Sequence, residues 1–359
     1  MPSCRACGAA AGDLVLDLGE QPPCDLFPPA GDPGPDPLFP LRMWLCGRCS
    51  LAQLVEDPGT KEEPAGVEPR ALTEQAADAV RALAGAGLVR PGASVAEYGS
   101  PHGGSWLPLL RAEGMREAAP DEPADLVIDC FGLMHDADQR AAMAARAARL
   151  APGATLVMQF HSLASILAQG QWNALRHGHF AYYSLPSASA LAGSAGLRPG
   201  RSWSFPLYGG TVLLELSRDG APDAGTEERT RREVAAGVTD SARVAGLGRA
   251  ARDGAARLRA QLTDVADAGK RVLGYGAASR AAALLRHAGI DSGLLPAIVD
   301  ISAVKHGRRM PASAIPIVPP DFLRSDLPDV LLLFVPDLLA EVRAAFPALD
   351  EHGCEWILT

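Results

Sequence analysis

Two Cys-x-x-Cys pairs constrain the N-terminal part of this chain more than any other feature. Cys4 and Cys7 form the first pair, and Cys46 and Cys49 form the second. Each pair places two thiolates on one tight turn, and two such turns build the tetrahedral four-sulfur site that suits Zn²⁺. A site closed by four cysteines leaves no position for water, so we expect the metal to serve folding rather than catalysis. The alternative is that the four thiols bind no metal.

The remaining cysteines and the local pattern complete the prediction of a zinc-binding module over residues 1–57. Seven cysteines is an odd number, and tight pairs in a reducing compartment indicate metal binding rather than disulfides. We expect Cys24, Cys130 and Cys354 to be buried or surface thiols. Short apolar runs such as LVLDL and FPLRMWLC predict small strands around the metal.

Composition and charge exclude several functional classes. A net charge of −9 and an isoelectric point near 5.4 argue against a general surface for nucleic acid or for an anionic membrane, because both favour basic patches. The N-terminus lacks the pattern of a secretory signal, and no stretch has the roughly 18 apolar residues of a membrane-spanning helix. We therefore expect a cytoplasmic protein, whose oligomeric state the sequence does not fix.

The rest of the chain predicts an α/β protein with two further units. A chain of 359 residues exceeds the size at which one core stops growing. After a polar linker at 58–66, residues 67–220 alternate strands and helices in the manner of a shortened Rossmann-like domain. Residues 221–268 predict one long amphipathic connecting helix, and 269–359 predict a second Rossmann-like unit.

Two glycine-rich turns and two histidines are the candidate chemical features. The turns EYGSPHGG (97–104) and GYGAAS (274–279) each join a strand to a helix, where backbone N–H groups can face a ligand. Each turn can equally be a tight connection, and the second lacks the third glycine of the dinucleotide fingerprint. His135 follows the strand ADLVIDC, and His179 lies among aromatic residues. Histidine suits proton transfer near neutral pH, although a single histidine is more often structural.

The order of these parts resembles the sugar-nucleotide C-methyltransferases of deoxysugar biosynthesis, which contain zinc and depend on S-adenosylmethionine. The resemblance covers nearly the whole chain. Its motifs are CRACG, DLGEQPPCDLF, LRMWLCGRCSLAQL, VAEYGSPHGG, RHGHFAYYSL, LYGGT, GKRVLGYGAASR, IVDISAVKHGRRMP and IPIV.

The resemblance implies methyl transfer to a carbon beside the ketone of a nucleotide-linked sugar, through an enolate. It implies His179 as the general base and His135 as the residue that stabilises the enolate oxygen or relays a proton. We expect the methyl donor at the first turn, on Glu97, Gly99, Ser100 and Gly103. We expect the sugar nucleotide between the central and C-terminal units, on Gly274, Tyr275, Gly276, Ser279 and Arg280.

Departures from the family pattern keep other functions open. Arg176 and Gly178 stand where the family has Tyr and Glu, and Pro101-His102 replaces the usual continuation of the first turn. The segment 111–126 is too short for two strands, one of which would end in the acidic residue that holds the donor's ribose. The alternatives are a relative that lost the donor and acts as an epimerase or isomerase, or a non-catalytic binding partner.

Overall fold

The computed structural model describes residues 2–59, 70–101, 103–325 and 327–359. These residues form three β-sheets of four, six and five strands, with helices packed around them. Most of the predicted linker at 58–66, the predicted domain start at 67, and His102 of the first glycine-rich turn lie outside the described residues.

The N-terminal sheet is antiparallel and has a strand that the sequence does not predict. Its first three strands are β1 (Gly12–Gln21), β2 (Phe39–Cys46) and β3 (Ala52–Leu54). The fourth, β8 (Ala181–Tyr182), comes from the middle of the chain and pairs with β3. The zinc module predicted at 1–57 therefore completes its sheet with residues of the central unit.

The central unit contains a six-stranded sheet. Its strands are β4 (Ser94–Gly99), β5 (Arg116–Glu117), β6 (Ala124–Cys130), β7 (Leu150–His161), β9 (Arg198–Phe205) and β10 (Thr211–Ser217). Its helices are α1 (Arg70–Gly85), α2 (Leu107–Ala112), α3 (Gln139–Ala148), α4 (Leu163–Gln169) and α5 (Leu185–Ser194).

The strand order is β5-β4-β6-β7-β10-β9, with β10 antiparallel to both neighbours and the first four strands parallel. Almost all of β6 is buried, as expected for a parallel strand covered on both faces. The segment 111–126 contains the two-residue strand β5 and the first three residues of β6, so it has no room for two full strands. The sheet therefore ends in a short edge beside β4.

The predicted single connecting helix over 221–268 is wrong, because the chain forms two helices there. Helix α6 (Ala224–Ala235) ends before Gly237, which has a φ of +90°, and α7 (Ser241–Asp267) begins after Asp240. The Asp240 carboxylate accepts the N–H groups of Ala242 and Arg243 and so caps the second helix. Left-handed backbone at a glycine followed by an N-cap is a strong helix break.

Helix α7 also packs into the protein rather than spanning solvent between domains. One face of it is buried, through Val244, Leu247, Ala251, Ala255, Leu258 and Leu262. This face belongs to an apolar core that also contains residues of β1 and of the C-terminal unit. The helix therefore joins the zinc module to the C-terminal unit through a shared core.

The C-terminal unit is a five-stranded parallel sheet in the order β13-β12-β11-β14-β15. Its strands are β11 (Val272–Tyr275), β12 (Ile298–Val299), β13 (Ile317–Val318), β14 (Val330–Leu333) and β15 (Glu355–Leu358). Its helices are α8 (Ser279–Ala288), α9 (Asp321–Ser325), α10 (Leu339–Ala345) and α11 (Pro347–His352). In the described part of the chain, no helix combines the length and apolar character needed to cross a bilayer.

Candidate functional site

The four predicted metal ligands meet at the end of the N-terminal sheet. Their Sγ atoms lie within 4.8 Å of one another. The Sγ atoms of Cys4 and Cys49 are 3.5 Å apart, and those of Cys7 and Cys46 are 3.6 Å apart. Four sulfurs bound tetrahedrally at about 2.3 Å from Zn²⁺ are separated by about 3.8 Å. The cluster therefore has the size of a four-cysteine zinc site.

Local hydrogen bonds favour thiolates in this cluster. The N–H of Cys7 donates to Cys4 Sγ at 3.5 Å, and the N–H of Arg48 donates to Cys46 Sγ at 3.3 Å. A hydrogen bond from Cys49 lowers the pKa of Cys4 to about 5, and the same bond raises the pKa of Cys49. Without a metal, ionisation of one thiol thus disfavours ionisation of its neighbour. A divalent cation would remove this effect, because it stabilises all four thiolates at once. Cys24, Cys130 and Cys354 lie outside the cluster and are buried.

A cavity of about 280 Å³ lies between the central and C-terminal units, at the carboxyl ends of β6 and β7. Open α/β sheets bind ligands at this edge. The central unit contributes Ser100, Gly103, Gly104, Phe131, His135, Gln159, His161, Arg176, His179, Tyr182 and Tyr208 to its lining. The C-terminal unit contributes Ser279, Arg280, Lys305 and Asp337.

The two predicted catalytic histidines meet in this cavity. The ring centres of His135 and His179 are 4.5 Å apart, and their planes are nearly perpendicular. The segments that carry them are joined directly, because the N–H of Phe180 donates to the carbonyl of Met134 at 2.7 Å. His179 is 6% exposed, so its ring is almost fully enclosed by protein atoms. The sequence places these residues 44 positions apart, and the fold brings them into contact.

A buried ion pair fixes the turn that carries His135. Asp129, at the end of β6, pairs with Arg146 of α3, and both side chains are almost fully buried. The other carboxylate oxygen of Asp129 accepts the N–H of Leu133 at 3.0 Å. Burial raises the pKa of Asp129, while the charge of Arg146 opposes that rise. Because a buried charge that loses its partner is costly, this pair holds the His135 turn firmly.

Arg176 occupies the position where the family has a tyrosine, and it contacts the predicted base. Its Nε–H donates to His179 Nε2 at 2.8 Å. In a neutral imidazole only one ring nitrogen accepts, so this bond places the proton of His179 on Nδ1. The hydroxyl of Tyr182 accepts the N–H of Arg176 at 3.0 Å and fixes its backbone. Proton transfer to Nε2 therefore requires the guanidinium to exchange this hydrogen bond for another partner.

The cavity carries an excess of positive charge. Neither Arg176 nor Arg280 forms an ion pair with a carboxylate of the described residues, whereas Lys305 lies 3.6 Å from Asp300. Arg280 lies over the ring of Tyr208, 5.7 Å from its centre. Burial and the charge of Arg176 lower the pKa of Arg280, so its charge lacks full compensation. Such a wall favours an anionic ligand.

The second glycine-rich turn contributes only its last residues to the cavity. Gly274 and Tyr275 lie in β11 and are buried, and a Cβ on Gly274 would come within 2.7 Å of Ile298. Neither they nor Gly276 line the cavity, whereas Ser279 and Arg280 do. Gly274, Tyr275 and Gly276 thus shape the turn and pack the core. Of the five predicted substrate contacts, only Ser279 and Arg280, in the first turn of α8, line the cavity.

The first glycine-rich turn faces the cavity with Ser100 and Gly103, which are bridged to each other by a hydrogen bond of 3.1 Å. A Cβ on Gly103 would meet no atom within 4 Å among the described residues that are not its chain neighbours. Gly99 and Glu97 do not line the cavity. The Glu97 carboxylate accepts the Ser105 hydroxyl at 2.5 Å and the Trp106 N–H at 2.6 Å, which shapes the entry to α2.

The residues that would hold the ribose of a methyl donor are not in place. Glu117, at the end of the stub β5, is exposed and pairs with Arg111. Glu122 pairs with Arg116, and this guanidinium lowers the pKa of Glu122 to about 2. No residue of 111–126 lines the cavity. The cavity therefore receives no carboxylate from this segment that could hold the ribose of a methyl donor.

The structure adds cavity residues that were not predicted, above all His161 and Tyr208. His161 ends β7, and its Nε2 is buried without a hydrogen-bond partner among the described residues. Burial, with the charge of Arg280 nearby, lowers the pKa of His161 to about 3, so the ring is neutral at physiological pH. Tyr208 has a φ of +56° and lies beside Phe131, whose φ is +59°. Non-glycine residues in the left-handed region concentrate at functional sites. The sequence could have indicated His161, because this residue ends a predicted strand at the edge of the sheet where ligands bind.

Comparisons with known proteins agree with this architecture. The family profile described as a putative zinc binding domain matches residues 4–62, and the profile described as a C-methyltransferase C-terminal domain matches residues 206–359. The C-methyltransferase NovU of Streptomyces niveus is 27% identical over 415 aligned positions, which cover 99% of this chain and 94% of NovU. The alignment is longer than this chain of 359 residues, so it contains gaps on the side of this chain.

Solved methyltransferase structures resemble part of the chain. Magnesium protoporphyrin IX methyltransferase from Synechocystis, with bound S-adenosylhomocysteine, is 13% identical, covers 42% of this chain and 85% of its own, and has a TM-score of 0.32. A possible histamine N-methyltransferase from Thermotoga maritima is 14% identical, covers 42% and 90%, and has a TM-score of 0.30.

The four-cysteine cluster inside the matched zinc-binding domain is a zinc site, and the fold is that of a zinc-containing α/β protein with two Rossmann-like units. The matches to both terminal domains and the alignment with a C-methyltransferase over almost all of its length support assignment of the chain to the C-methyltransferases.

Proposed function

We propose that the protein binds a nucleotide-linked keto-deoxysugar in the cavity and methylates the carbon beside the ketone. The observation that carries this proposal is the contact between His135 and His179 in a cavity that is also lined by two arginines, neither in an ion pair with a carboxylate of the described residues. The two histidines supply acid/base chemistry, and the arginines suit a diphosphate. S-adenosylmethionine, when bound at Ser100 and Gly103, supplies the methyl group.

In the proposed mechanism the anionic ligand prepares the base. A diphosphate offers the Arg176 guanidinium a stronger partner than a neutral imidazole, so ligand binding favours release of His179 Nε2. The freed nitrogen then takes the proton from the carbon beside the ketone, and an enolate forms. The His135 ring, in contact with His179, stabilises the enolate oxygen by hydrogen bonding or relays the proton. Burial of His179 strengthens these electrostatic interactions, because the effective dielectric constant is lower inside the protein than in water.

The short edge strand β5 favours a second candidate function. A protein with the same histidines and no bound donor would exchange the acidic proton and could epimerise or isomerise the sugar, because proton abstraction and enolate stabilisation suffice for that. The ion-paired Glu117 and Glu122, both remote from the cavity, are the specific observation behind this alternative.

Calorimetric titration of the full chain tests the two candidates. We expect separate binding of S-adenosylhomocysteine and of thymidine diphosphate if the protein is a methyltransferase. Binding of the nucleotide alone would exclude methyl transfer and leave the epimerase or isomerase. Absence of both would contradict the proposed substrate and indicate a non-catalytic partner.

Replacing Arg280 with methionine is expected to weaken thymidine diphosphate binding by about tenfold to a hundredfold. A hydrogen bond to a charged group contributes roughly 1.5–3 kcal/mol, and each 1.4 kcal/mol is a factor of ten in affinity. Arg286→Met is the matched control, because it removes the same charge from an exposed position of the same helix. Equal nucleotide affinity in the Arg280→Met and Arg286→Met proteins would contradict this placement of the diphosphate.

A further inference from the structure

We propose that Arg5, which lies inside the first Cys-x-x-Cys pair, is a positioning residue that holds the segments bearing His135 and His179 against each other. It thereby ties the zinc centre to the candidate active site. The consequence for catalysis rests on the proposed function, whereas the effect on the two histidine rings does not.

The Arg5 side chain reaches both histidine segments. Its Nη1 donates to the carbonyl of Ala137 at 2.9 Å, two residues after His135. Its guanidinium lies over the ring of Phe180, 4.8 Å from the ring centre, and Phe180 directly follows His179. One planar group therefore contacts each segment immediately beside its histidine. Arginine can donate in its plane and stack on its face at the same time, which lysine cannot.

The backbone of Arg5 is held by the metal ligands and by the N-terminal sheet. Cys4 and Cys7 flank it, so zinc binding fixes the turn on which it lies. The N–H of Arg5 donates to Gln53 Oε1 at 2.9 Å, and Gln53 Nε2 donates to the Ser3 carbonyl at 3.0 Å. The guanidinium itself donates through Nε and Nη2 to the Leu54 carbonyl of β3, both at 3.4 Å, so its position is set within the N-terminal module.

Other contacts attach the histidine segment to the same module and survive without Arg5. Strand β3 pairs with β8 just after Phe180, and the N–H of Leu54 donates to the Phe180 carbonyl at 3.2 Å. The N–H of Gly178 donates to Asp57 Oδ2 at 2.7 Å. Removing the Arg5 side chain should therefore leave the fold in place. What it removes is the link from the zinc module to the His135 segment; the hydrogen bond from the Phe180 N–H to the Met134 carbonyl remains, so the two rings should stay in contact but change their relative orientation.

Arg48 provides a matched control, because it occupies the second Cys-x-x-Cys pair as Arg5 occupies the first. Arg48 is exposed, and its side chain makes no hydrogen bond or ion pair with the described residues. The variants Arg5→Met and Arg48→Met therefore make the same change beside the same metal. They differ in the contacts of Arg5 to the histidine segments and in its two hydrogen bonds to the Leu54 carbonyl, both 3.4 Å.

The experiment uses the zinc-loaded full chain with ¹⁵N-labelled histidine rings, assigned with His135→Gln and His179→Gln. Relative to wild type, Arg5→Met is expected to shift the ring resonances of His135 and His179 and to leave the exposed His352 and the zinc content unchanged. Arg48→Met is expected to shift none of them. If wild type exchanges the proton beside a sugar ketone, Arg5→Met should slow that exchange about tenfold, as is typical of lost positioning contacts.

Phe180→Leu gives a second test, because it removes the stacking partner and leaves Arg5 and the four metal ligands unchanged. We expect the same two histidine resonances to shift. Unchanged His135 and His179 resonances in either folded variant, or equal shifts in Arg48→Met, would overturn the role of Arg5. If the wild-type protein does not exchange the proton beside the sugar ketone, the proposed function is contradicted. The resonance shifts still decide whether Arg5 positions the two histidine rings.

Discussion

Replacing His179 with glutamine is expected to lower the rate of proton exchange beside the ketone of a nucleotide-linked keto-sugar by about 10²–10⁴-fold. This is the usual contribution of a positioned general base. Glutamine keeps a polar side chain of similar reach and cannot take the proton at neutral pH. His179 is almost fully buried and contacts His135, so no solvent buffer can replace it easily. Nucleotide binding should survive, since Arg280 and Lys305 are untouched.

Deuterium exchange in heavy water, followed by NMR, measures this step without requiring methyl transfer. His352→Gln is the control, because His352 ends α11 at an exposed position remote from the cavity. It should exchange at the wild-type rate. If the His179→Gln protein exchanges the proton at the wild-type rate, another group, such as His135 or His161, is the base.

The parts of this architecture that depend on local pattern could be predicted from the sequence. The four cysteines were found because metal ligands recur at fixed spacing on tight turns. The alternation of strands and helices gave both Rossmann-like units, and the count of residues over 111–126 gave the reduced edge strand. These signals act over a few residues and need no knowledge of long-range contacts.

The parts that depend on long-range pairing could not be predicted in the same way. Strand β8 has two residues, too few for a pattern, and exists because it pairs with β3 over a separation of more than 120 positions. The cavity likewise needs α8 to face the ends of β6 and β7, which no local signal specifies. Gly274 and Tyr275 were predicted as ligand contacts because the turn was considered without the core that surrounds them.

The segment RHGHF shows how one departure from the family alters the site. Gly178 has a φ of +80°, a left-handed conformation that the family's glutamate would adopt only with strain. Its N–H donates to Asp57, so a carboxylate of the zinc module lies beside the position where the family's own carboxylate is expected. Arg176, in place of tyrosine, donates to the predicted base. The glycine thus ties the His179 segment to the zinc module, and the arginine adds a hydrogen bond to the predicted base.

Loss of the zinc ion is expected to unfold the N-terminal module. Structural zinc contributes apparent binding free energies of about 10–16 kcal/mol in small metal-dependent domains, comparable to or larger than the roughly 5–15 kcal/mol that stabilise a whole domain. The metal ligand Cys46 ends β2 of the N-terminal sheet. The same sheet includes β8, which begins two residues after His179. Metal loss should therefore also disturb the two histidine rings.

We expect about one zinc per chain, released only by denaturation or by a strong chelator. In the double variant Cys4→Ser with Cys46→Ser, zinc should be lost and the unfolding transition should shift to lower temperature or split. Metal analysis and thermal unfolding check both results.

Cys354→Ala is the control, because that buried thiol lies outside the cluster and should leave the zinc content unchanged. A metal-free protein that is fully folded, or equal zinc content in the double variant, would contradict the assignment. Either result would also remove the basis for a link between the metal and the histidines, because Arg5 would no longer be fixed by zinc.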